Sequence, residues 1–283
     1  MRSSCQTRSL ALLAGVLAMS AMSIGFGAAP AQARELRVCA DPNNLPYSKQ
    51  DGSGFENKIA EIVADDMDAE LTYYWFPQGQ GFLRETIRAG HCDVVMGVPD
   101  AMKSLETTRP YYRSTYMFVQ RADEPTIESY DDPALKTLKI GVQLIGEDGT
   151  NTPPVHDLAQ RGIIDNLKGY PVYGDPESDR PHAPIVDAVA AGDIDVAIVW
   201  GPIAGYYARR QPVDLELTPV TIDPTLPVLQ MTYGISLATR HLDTDLHADL
   251  ERALRDRREE IDAVLARYGI PRIDKPTKLG EAQ

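Results

Sequence analysis

The chain has 283 residues, with 41 acidic and 28 basic side chains and a formal net charge of −13 at pH 7. A surface this acidic repels nucleic-acid phosphates and anionic membranes, so neither is an expected partner. The five histidines form neither a metal-ligand cluster nor a catalytic arrangement with Ser, Cys or Asp in the sequence. We therefore predict no metal site, no cofactor and no enzymatic activity.

The first 33 residues have the pattern of a cleaved signal peptide. Arg2 and Arg8 lead into an uncharged apolar stretch from Leu10 to about Phe26. The segment Ala31-Gln32-Ala33 then places small residues at the two positions that a signal peptidase reads. An uncleaved membrane anchor is the alternative, but the stretch is rich in Ala, Gly and Ser, and no charged stop-transfer segment follows it. We therefore predict export to the periplasm, cleavage after Ala33 and no membrane insertion.

The next segments alternate between strand and helix patterns. A short apolar strand covers Leu36 to Ala40, and apolar residues recur at helical spacing from Phe55 to Met67. A strand around Leu71 to Phe76, a helix around Phe82 to Ala89 and a strand from Asp93 to Val98 follow. This order predicts a parallel sheet with helices on both faces, in which the first and third strands can be neighbours.

The two cysteines of the mature chain belong to the first and third of these strands. Cys39 lies within the first strand and Cys92 at the start of the third. An even pair in an oxidising compartment favours a disulfide, which requires the two strands to lie side by side. A metal site is the alternative, but His91 is the one further ligand nearby. Cys5 precedes the apolar stretch and is expected to be lost with the signal peptide.

The sequence contains two similar halves. Leu36-Arg37-Val38 recurs as Leu138-Lys139-Ile140, and the segment 89–94 recurs as 191–196, both at an offset of 102 residues. This shared offset predicts two α/β lobes of common plan. Gly141 and Ile194 occupy the positions that correspond to Cys39 and Cys92, so the second lobe has no equivalent disulfide.

The C-terminal part adds a strand at about 231–238 and one long helix. Its predicted buried stripe is Leu246, Leu250, Ala253, Leu254, Ile261, Val264 and Leu265. The acidic run 243–251 resembles a metal loop but lacks the turning Gly, so helix capping is favoured. Loops near Pro125 and Pro224 mark the predicted crossings, which gives residues 34–121 plus 224–283 as lobe 1 and residues 122–223 as lobe 2.

Six ordered segments resemble the quinoprotein-dehydrogenase-associated binding proteins of the MxaJ/XoxJ type. They are 36–47, 54–57, 91–99, 107–116, 146–154 and 192–202. The resemblance implies a two-lobed type II periplasmic binding protein fold, with a parallel-sheet core in each lobe and crossover hinge strands. It also implies an accessory that supports the activation, maturation or assembly of a PQQ-dependent methanol or alcohol dehydrogenase, with its cytochrome c as a further possible partner.

In this fold, ligand contacts come from loops at the carboxyl ends of the strands. The residues that we predict there are Tyr47, Phe55, Glu56, Met96, Thr108, Arg109, Tyr111, Tyr112, Glu147, Asn151 and Trp200. Packing in the core is the alternative for each aromatic residue, surface pairing for Arg109, and a polar contact at a helix start for Glu56. Helix capping is the alternative for the segment 146–154.

The charged clamp of amino-acid binders is missing from the sequence. Where these proteins place an arginine, the chain has Asp100, Ala101 and Met102, and where they place an acidic residue it has Trp200. A free amino acid is therefore not an expected ligand. A dehydrogenase accessory and a transport receptor for another small solute stay open, as does the choice between a small molecule and a peptide segment in the cleft. An enzyme would need a second carboxylate beside Glu56, and none is identifiable.

Overall fold

The computed structural model describes residues 34–100, 102–146, 151–220 and 229–273. The predicted signal peptide and the predicted crossing near Pro224 lie outside these residues and stay predictions. Among the described helices, none combines the length and the apolar character needed to cross a membrane.

The first part of the described chain forms the predicted alternation of strands and helices. Its elements are β1 (Arg34–Ala40), β2 (Asn43–Asn44), β3 (Ser48–Lys49), α1 (Phe55–Asp66), β4 (Ala69–Trp75), α2 (Phe82–Glu85) and β5 (Val94–Pro99). Strand β1 lies between β4 and β5 and is parallel to both. The strands predicted to be first and third are therefore neighbours. Helix α1 buries the face on which Ile59 and Val63 recur at helical spacing.

Helix α2 is shorter than the sequence predicts. The apolar spacing predicts a helix from Phe82 to Ala89, but the helix ends after Glu85. Thr86 is buried, and its Oγ1 donates a 2.6 Å hydrogen bond to the carbonyl of Phe82. A side chain that bonds back to the preceding turn competes with the helical hydrogen bonds. The backbone leaves the helix at Thr86, with φ −116° and ψ −92°, and reaches Gly90 through turns.

The rest of the described chain contributes five helices, a 3-10 helix and seven strands. These are β6 (Glu106–Thr107), β7 (Tyr112–Arg121), the 3-10 helix Pro133–Lys136, β8 (Ile140–Leu144), α3 (Pro153–Gln160), β9 (Leu167–Pro171), α4 (Pro184–Ala191), β10 (Val196–Trp200), α5 (Gly201–Ala208), β11 (Leu215–Pro219), β12 (Thr232–Thr239), α6 (Thr244–Asp256) and α7 (Arg258–Arg267). The strand order is β4-β1-β5-β12-β7-β10-β8-β9, with β11 paired to β7 and β6 to β12.

The strands form two groups, and β7 belongs to both. The first strand group is β1, β4, β5, β6 and β12, and the second is β8, β9, β10 and β11. Residues Tyr112 to Thr115 of β7 pair antiparallel with β12. Residues Tyr116 to Arg121 pair antiparallel with β10 and β11. The chain returns beside this point, because the N–H of Tyr116 donates to the carbonyl of Met231, 3.2 Å away.

The sequence repeat with its offset of 102 residues corresponds to a repeated pattern of strand pairing. Val38 on β1 lies opposite Val94 on β5, and Ile140 on β8 lies opposite Val196 on β10, again 102 residues apart. The N–H of Asp93 donates to the Arg37 carbonyl at 2.8 Å, and the N–H of Asp195 donates to the Lys139 carbonyl at 2.9 Å. The two strand groups therefore share one local plan.

The predicted disulfide between Cys39 and Cys92 is present. The Cα atoms of the two cysteines are 5.4 Å apart, a distance that neighbouring strands provide. Both cysteines are buried, in a small apolar cluster that contains Phe82 and Ile87. The bridge therefore ties β1 to the start of β5 from inside the core.

The predicted long C-terminal helix is two helices. Arg257 separates α6 from α7, with φ −102° and ψ 22°. The predicted stripe is buried, except that Leu246 is half-buried. Asp243 stands at the N-cap of α6, but its carboxylate makes no capping hydrogen bond and pairs with Arg240 at 2.8 Å. The acidic run therefore lies at a helix start as predicted, with Asp245 in the first turn, where a negative charge is favourable. The predicted side-chain capping is not made by Asp243, because Arg240 competes for its carboxylate.

Candidate functional site

A cavity of about 840 Å³ lies at the carboxyl ends of β1, β5, β8 and β10. Both strand groups contribute to its wall, as expected for a ligand site in an α/β fold. Five of the residues predicted from the sequence line the cavity, namely Tyr47, Glu56, Met96, Tyr112 and Trp200. Their role in binding a ligand stays a prediction.

Several other predicted residues lie away from the cavity lining. Phe55 and Tyr111 are fully buried in the core beside α1. Asn151 forms an isolated bridge with Leu144 at the end of β8. Glu147 lies outside the described residues, so its predicted contact stays a prediction. Phe55 nevertheless supports the cavity, because its ring contacts the ring of Tyr47 with a centroid distance of 5.5 Å.

Arg109 and Thr108 make structural contacts. Arg109 is exposed, and its Nε donates to Oε2 of Glu251 at 2.9 Å. This is the surface pairing that the sequence left open. Thr108 is buried, and its Oγ1 accepts a 3.1 Å hydrogen bond from the N–H of Leu237. Both residues therefore hold the segment before β7 against β12 and α6.

Glu56 is a buried carboxyl in the wall of the cavity. Its Oε1 has no hydrogen-bond partner among the described residues. Asn57 carries out the contact at the start of α1 instead, because its Oδ1 accepts from the N–H of Gly54 at 3.1 Å and from the N–H of Lys49 at 2.9 Å. The Glu56 carboxyl packs against the Cα of Gly97, a position with φ +72°.

The apolar surroundings of Glu56 change its acidity. Burial raises the pKa of the Glu56 carboxyl to about 8. Burial also raises the pKa of Tyr47, Tyr111 and Tyr112, and the nearby charge of Glu56 raises it further. These hydroxyl groups are therefore neutral at physiological pH. A carboxyl whose pKa is raised by burial in the wall of a cavity is a candidate functional group.

His182 is a cavity residue that the sequence pattern did not indicate. Its Nε2 lies 2.6 Å from Oδ1 of Asn44, whose Nδ2 donates to Oε1 of Gln78. Asn44 thus accepts from Nε2, which leaves His182 Nδ1 buried and without a partner among the described residues. Burial lowers the pKa of His182 to about 4, so the ring is neutral. The sequence around His182 gives no local signal for this role, because its hydrogen-bond partner, Asn44, is 138 residues away.

Contacts around His182 join the two strand groups on one side of the cavity. The hydroxyl of Tyr207 donates to the carbonyl of Leu45 at 3.1 Å. Asn43 Nδ2 donates to the carbonyl of Ser178 at 2.9 Å. The ring of His182 meets the ring of Tyr47 edge-on, with centroids 6.3 Å apart. The segment 43–47 is therefore attached to the second strand group.

An aromatic group lies where β7, β10 and β12 meet. The ring of Trp200 contacts the rings of Tyr116 and Tyr233 edge-on, with centroid distances of 5.4 Å and 5.7 Å. The N–H of Trp200 donates to Oε1 of Gln143 at 3.0 Å, which fixes the end of β10. All four side chains line the cavity. The sequence indicated Trp200, whereas Tyr116, Tyr233 and Gln143 read as ordinary strand residues.

The chain has the fold of a type II periplasmic binding protein. This class is defined by two groups of paired parallel strands, a strand shared between the groups and a cavity at the strand ends. No family model matches the chain. It is 31% identical to Protein MoxJ of Paracoccus denitrificans over 257 residues, which are 85% of this chain and 90% of that protein. The chain belongs to the MoxJ family.

Two solved structures agree with this assignment. The periplasmic binding protein XoxJ from Methylobacterium extorquens AM1 is 36% identical, with a TM-score of 0.69 over 85% of this chain and 100% of that one. MxaJ from Methlophaga aminisulfidivorans MPT is 29% identical, with a TM-score of 0.71 over 84% of this chain and 100% of that one. The fold and the family resemblance predicted from the sequence are therefore confirmed.

Proposed function

We propose that this protein is a periplasmic accessory that binds a PQQ-dependent methanol or alcohol dehydrogenase and supports its activation, maturation or assembly. Membership of the MoxJ family across most of the chain is the observation that carries the proposal. The ordered segments that resemble dehydrogenase-associated binding proteins support it. The cytochrome c of that enzyme is a second candidate partner. Cleavage of residues 1–33 would leave the mature protein in the periplasm.

The two positions at which amino-acid binders carry their charged clamp favour this proposal over amino-acid transport. Asp100 stands where an arginine would be expected, and its Oδ2 accepts from Arg113 at 3.1 Å. Trp200 ends β10 where an acidic residue would be expected, and α5 begins at the next residue. Asp100 has the wrong sign for a ligand carboxylate and is already paired with Arg113, and Trp200 carries no charge for a ligand ammonium group.

We further propose that this protein does not act as an enzyme. Of the residues that the structure describes, the second carboxylate at the cavity is Asp41, and both of its oxygens accept hydrogen bonds. Oδ1 accepts from the N–H of Asn43 at 2.7 Å, and Oδ2 accepts from the N–H of Gln78 at 2.6 Å. Asp41 therefore orders loops, and the described residues of the cavity offer Glu56 no free carboxylate partner of the kind that a glycosidase would need.

The proposed lobes are residues 34–121 with 224–283 and residues 122–223. The change of pairing inside β7 supports a crossing between Thr115 and Tyr116, a few residues before the predicted boundary. Since one strand serves both groups, a hinge at this point lets the lobes change their angle while the pairing within each lobe is kept.

A transport receptor for a small solute other than an amino acid is the second candidate. The size of the cavity favours it, because about 840 Å³ suits a small ligand and both strand groups line the space. The two candidates differ in their partner. A receptor delivers its ligand to a membrane permease, whereas an accessory contacts the dehydrogenase.

Capture from the periplasm distinguishes these partners. Tagged mature protein would be isolated from its own host during growth on methanol, and the bound proteins identified by mass spectrometry. Recovery of a quinoprotein dehydrogenase subunit supports the accessory function. Recovery of a permease without the dehydrogenase would replace it with transport.

A pair of variants tests whether the cavity takes part. Trp200→Ala removes the aromatic residue at the end of β10, and Ile164→Ala removes an exposed apolar side chain elsewhere. We expect Trp200→Ala to reduce dehydrogenase recovery at least tenfold and Ile164→Ala to leave it unchanged. Equal recovery with both variants would place the contact surface outside the cavity.

A further inference from the structure

The Glu56 carboxyl is a buried acid in the wall of the cavity. It is 8% exposed, lines the cavity and leaves Oε1 without a partner among the described residues. Burial of a carboxyl without a counter-charge or hydrogen bonds is unfavourable. Its position in the first turn of α1 does not explain it, because Asn57 makes the capping contact there. Oε1 itself packs against Gly97, but the residue lines the cavity and has no ion-pair partner among the described residues, so a cationic ligand in the cavity would supply the counter-charge that the carboxyl lacks.

Aromatic rings surround the same part of the cavity. Tyr47 and Tyr112 line it beside Glu56, and both pack against Phe55, with centroid distances of 5.5 Å and 6.1 Å. The group of Trp200 and Tyr233 lines the wall further along. The negative face of an aromatic ring attracts cations, and the ring also makes apolar contacts with alkyl carbon atoms. A carboxylate among such rings is suited to an organic cation.

The charges of the cavity and of the whole chain agree with a cationic ligand. Among the described residues, the arginines and lysines of the lining are Arg84 and Arg88, and both are exposed. Exposed charges are weakened by water and salt, so they oppose a buried cation less than Glu56 attracts it. The net charge of −13 also draws cations toward the protein.

We propose that the cavity binds an alkylammonium group, with Glu56 as its counter-ion and the tyrosine rings around its carbon atoms. The proposal goes beyond the function proposed above and does not depend on it. A free methylated amine and a lysine side chain of a partner protein both carry this group. The two sources share one binding chemistry, and separate probes distinguish them.

Binding of the cation is coupled to loss of a proton from Glu56. The protonated carboxyl and the ammonium ion combine to give the ion pair and one proton, which leaves to the solvent. The titratable groups that face Glu56 are Tyr47, Tyr73, Tyr111 and Tyr112, and every one has its pKa raised above the ordinary value of 10. His182 beside Tyr47 is neutral above about pH 4. Glu56 is thus the one of these groups that titrates between pH 6 and pH 9.

Calorimetric titration with tetramethylammonium tests the proposal, because this probe keeps its charge at every pH. The Glu56 carboxyl is mostly protonated at pH 6 and half ionised near pH 8, so binding should tighten roughly 50-fold between these values. At pH 7, titrations in buffers of different ionisation enthalpy should show release of nearly one proton for each cation bound. Tert-butanol, a neutral molecule of similar shape, should bind at least tenfold more weakly at pH 8.

Two variants control this experiment. Glu56→Gln keeps the shape of the side chain and removes its charge, so tetramethylammonium binding and its pH dependence should both be lost. Arg88→Gln removes an exposed charge of the cavity, and binding should be unchanged or slightly tighter. Circular dichroism confirms that both variants are folded. Equal affinity for the cation in Glu56→Gln, equal affinity for tert-butanol, or no binding to the wild-type protein would overturn the proposal.

Two further probes identify the source of the cation. Methylamine represents a free solute, and the amide of N-acetyl-lysine represents a partner side chain. Tighter binding of methylamine supports a solute, and tighter binding of the lysine probe supports a partner protein. Failure of every cation leaves dehydrogenase capture untouched, so the two proposals fail separately.

Discussion

The side chain of Ile194 packs on the Cα of Gly141, so that a Cβ atom added at Gly141 would lie 2.5 Å from Ile194 Cδ1. An offset of 102 residues relates this pair to Cys92 and Cys39, which are joined by the disulfide. The same two neighbouring positions are thus held covalently in the first strand group and by close packing in the second.

Removal of the disulfide should destabilise the protein. The bridge spans 53 residues, so its loss in Cys39→Ala/Cys92→Ala should lower the free energy of unfolding by up to about 4 kcal/mol. Urea unfolding of the oxidised wild type and of the double variant measures this difference. A thiol assay on unfolded, unreduced mature protein is the control, and two reactive thiols there would contradict the bridge.

Substitution of Gly141 should also be costly. In Gly141→Ala the new methyl group meets Ile194, Ala197 and Ile185, and overpacking of this kind costs about 1–3 kcal/mol. Gly79→Ala is the matched control, because a Cβ atom there meets nothing within 4 Å. Thermal unfolding should therefore separate the two variants. An equal melting temperature would mean that β8 and β10 adjust freely to the added atom.

Asp93 should stabilise the first strand group in a pH-dependent way. Burial opposes ionisation, but hydrogen bonds from Arg37 and Arg240 hold the pKa of the Asp93 carboxyl below its ordinary value of 3.8. Its contribution is therefore complete above about pH 4 and is lost as the pH falls through the lowered pKa. Asp93→Asn should cost about 1–3 kcal/mol at pH 7, because it removes charge-assisted hydrogen bonds.

The repeat supplies the control for this variant. Asp195, 102 residues later, accepts from the N–H of Lys139 and is exposed, so Asp195→Asn should cost less than Asp93→Asn. Urea unfolding at pH 7 and at pH 3 measures both variants. The cost of Asp93→Asn should shrink at the lower pH, and a constant cost would show that packing of the side chain matters more than its charge.

His182 should make the protein sensitive to mild acid. Its pKa falls from 6.5 to about 4 on burial, so the folded state resists protonation. Stability should therefore decrease as the pH falls from 6.5 toward 4, by on the order of 3 kcal/mol. His182→Gln keeps a donor for Asn44 and has no titrating ring, so it should lose less stability between pH 7 and pH 5. The same loss in both proteins would assign acid sensitivity to another group.

The periodic elements could be predicted from the sequence, and the contacts that depend on tertiary structure could not. Alternation and helical spacing gave β1, α1, β5 and the neighbouring cysteines, because those signals are local. The early end of α2 depends on Thr86 bonding back to Phe82, and the pairing of Arg109 with Glu251 joins residues 142 positions apart. Apolar spacing carries no information about either contact.

The candidate site shows the same division. Tyr47, Glu56 and Trp200 stand beside strand ends that the pattern located, so they could be indicated in advance. His182 could not, since it lies in a turn-rich segment and reaches the cavity through a contact with Asn44. The acidity of Glu56 also depends on burial that only the packed structure reveals.

Strand β12 lies between β5 and β7, and α6 and α7 pack on α1. The other strands of the first strand group come from the first half of the chain. The group therefore stays incomplete until residues beyond 231 have been made and can form β12. A polypeptide that emerges from its N-terminus can complete the second strand group before the first. Any nascent or partly translocated form would keep the edge of β5 open, and the last fifth of the chain is what closes it.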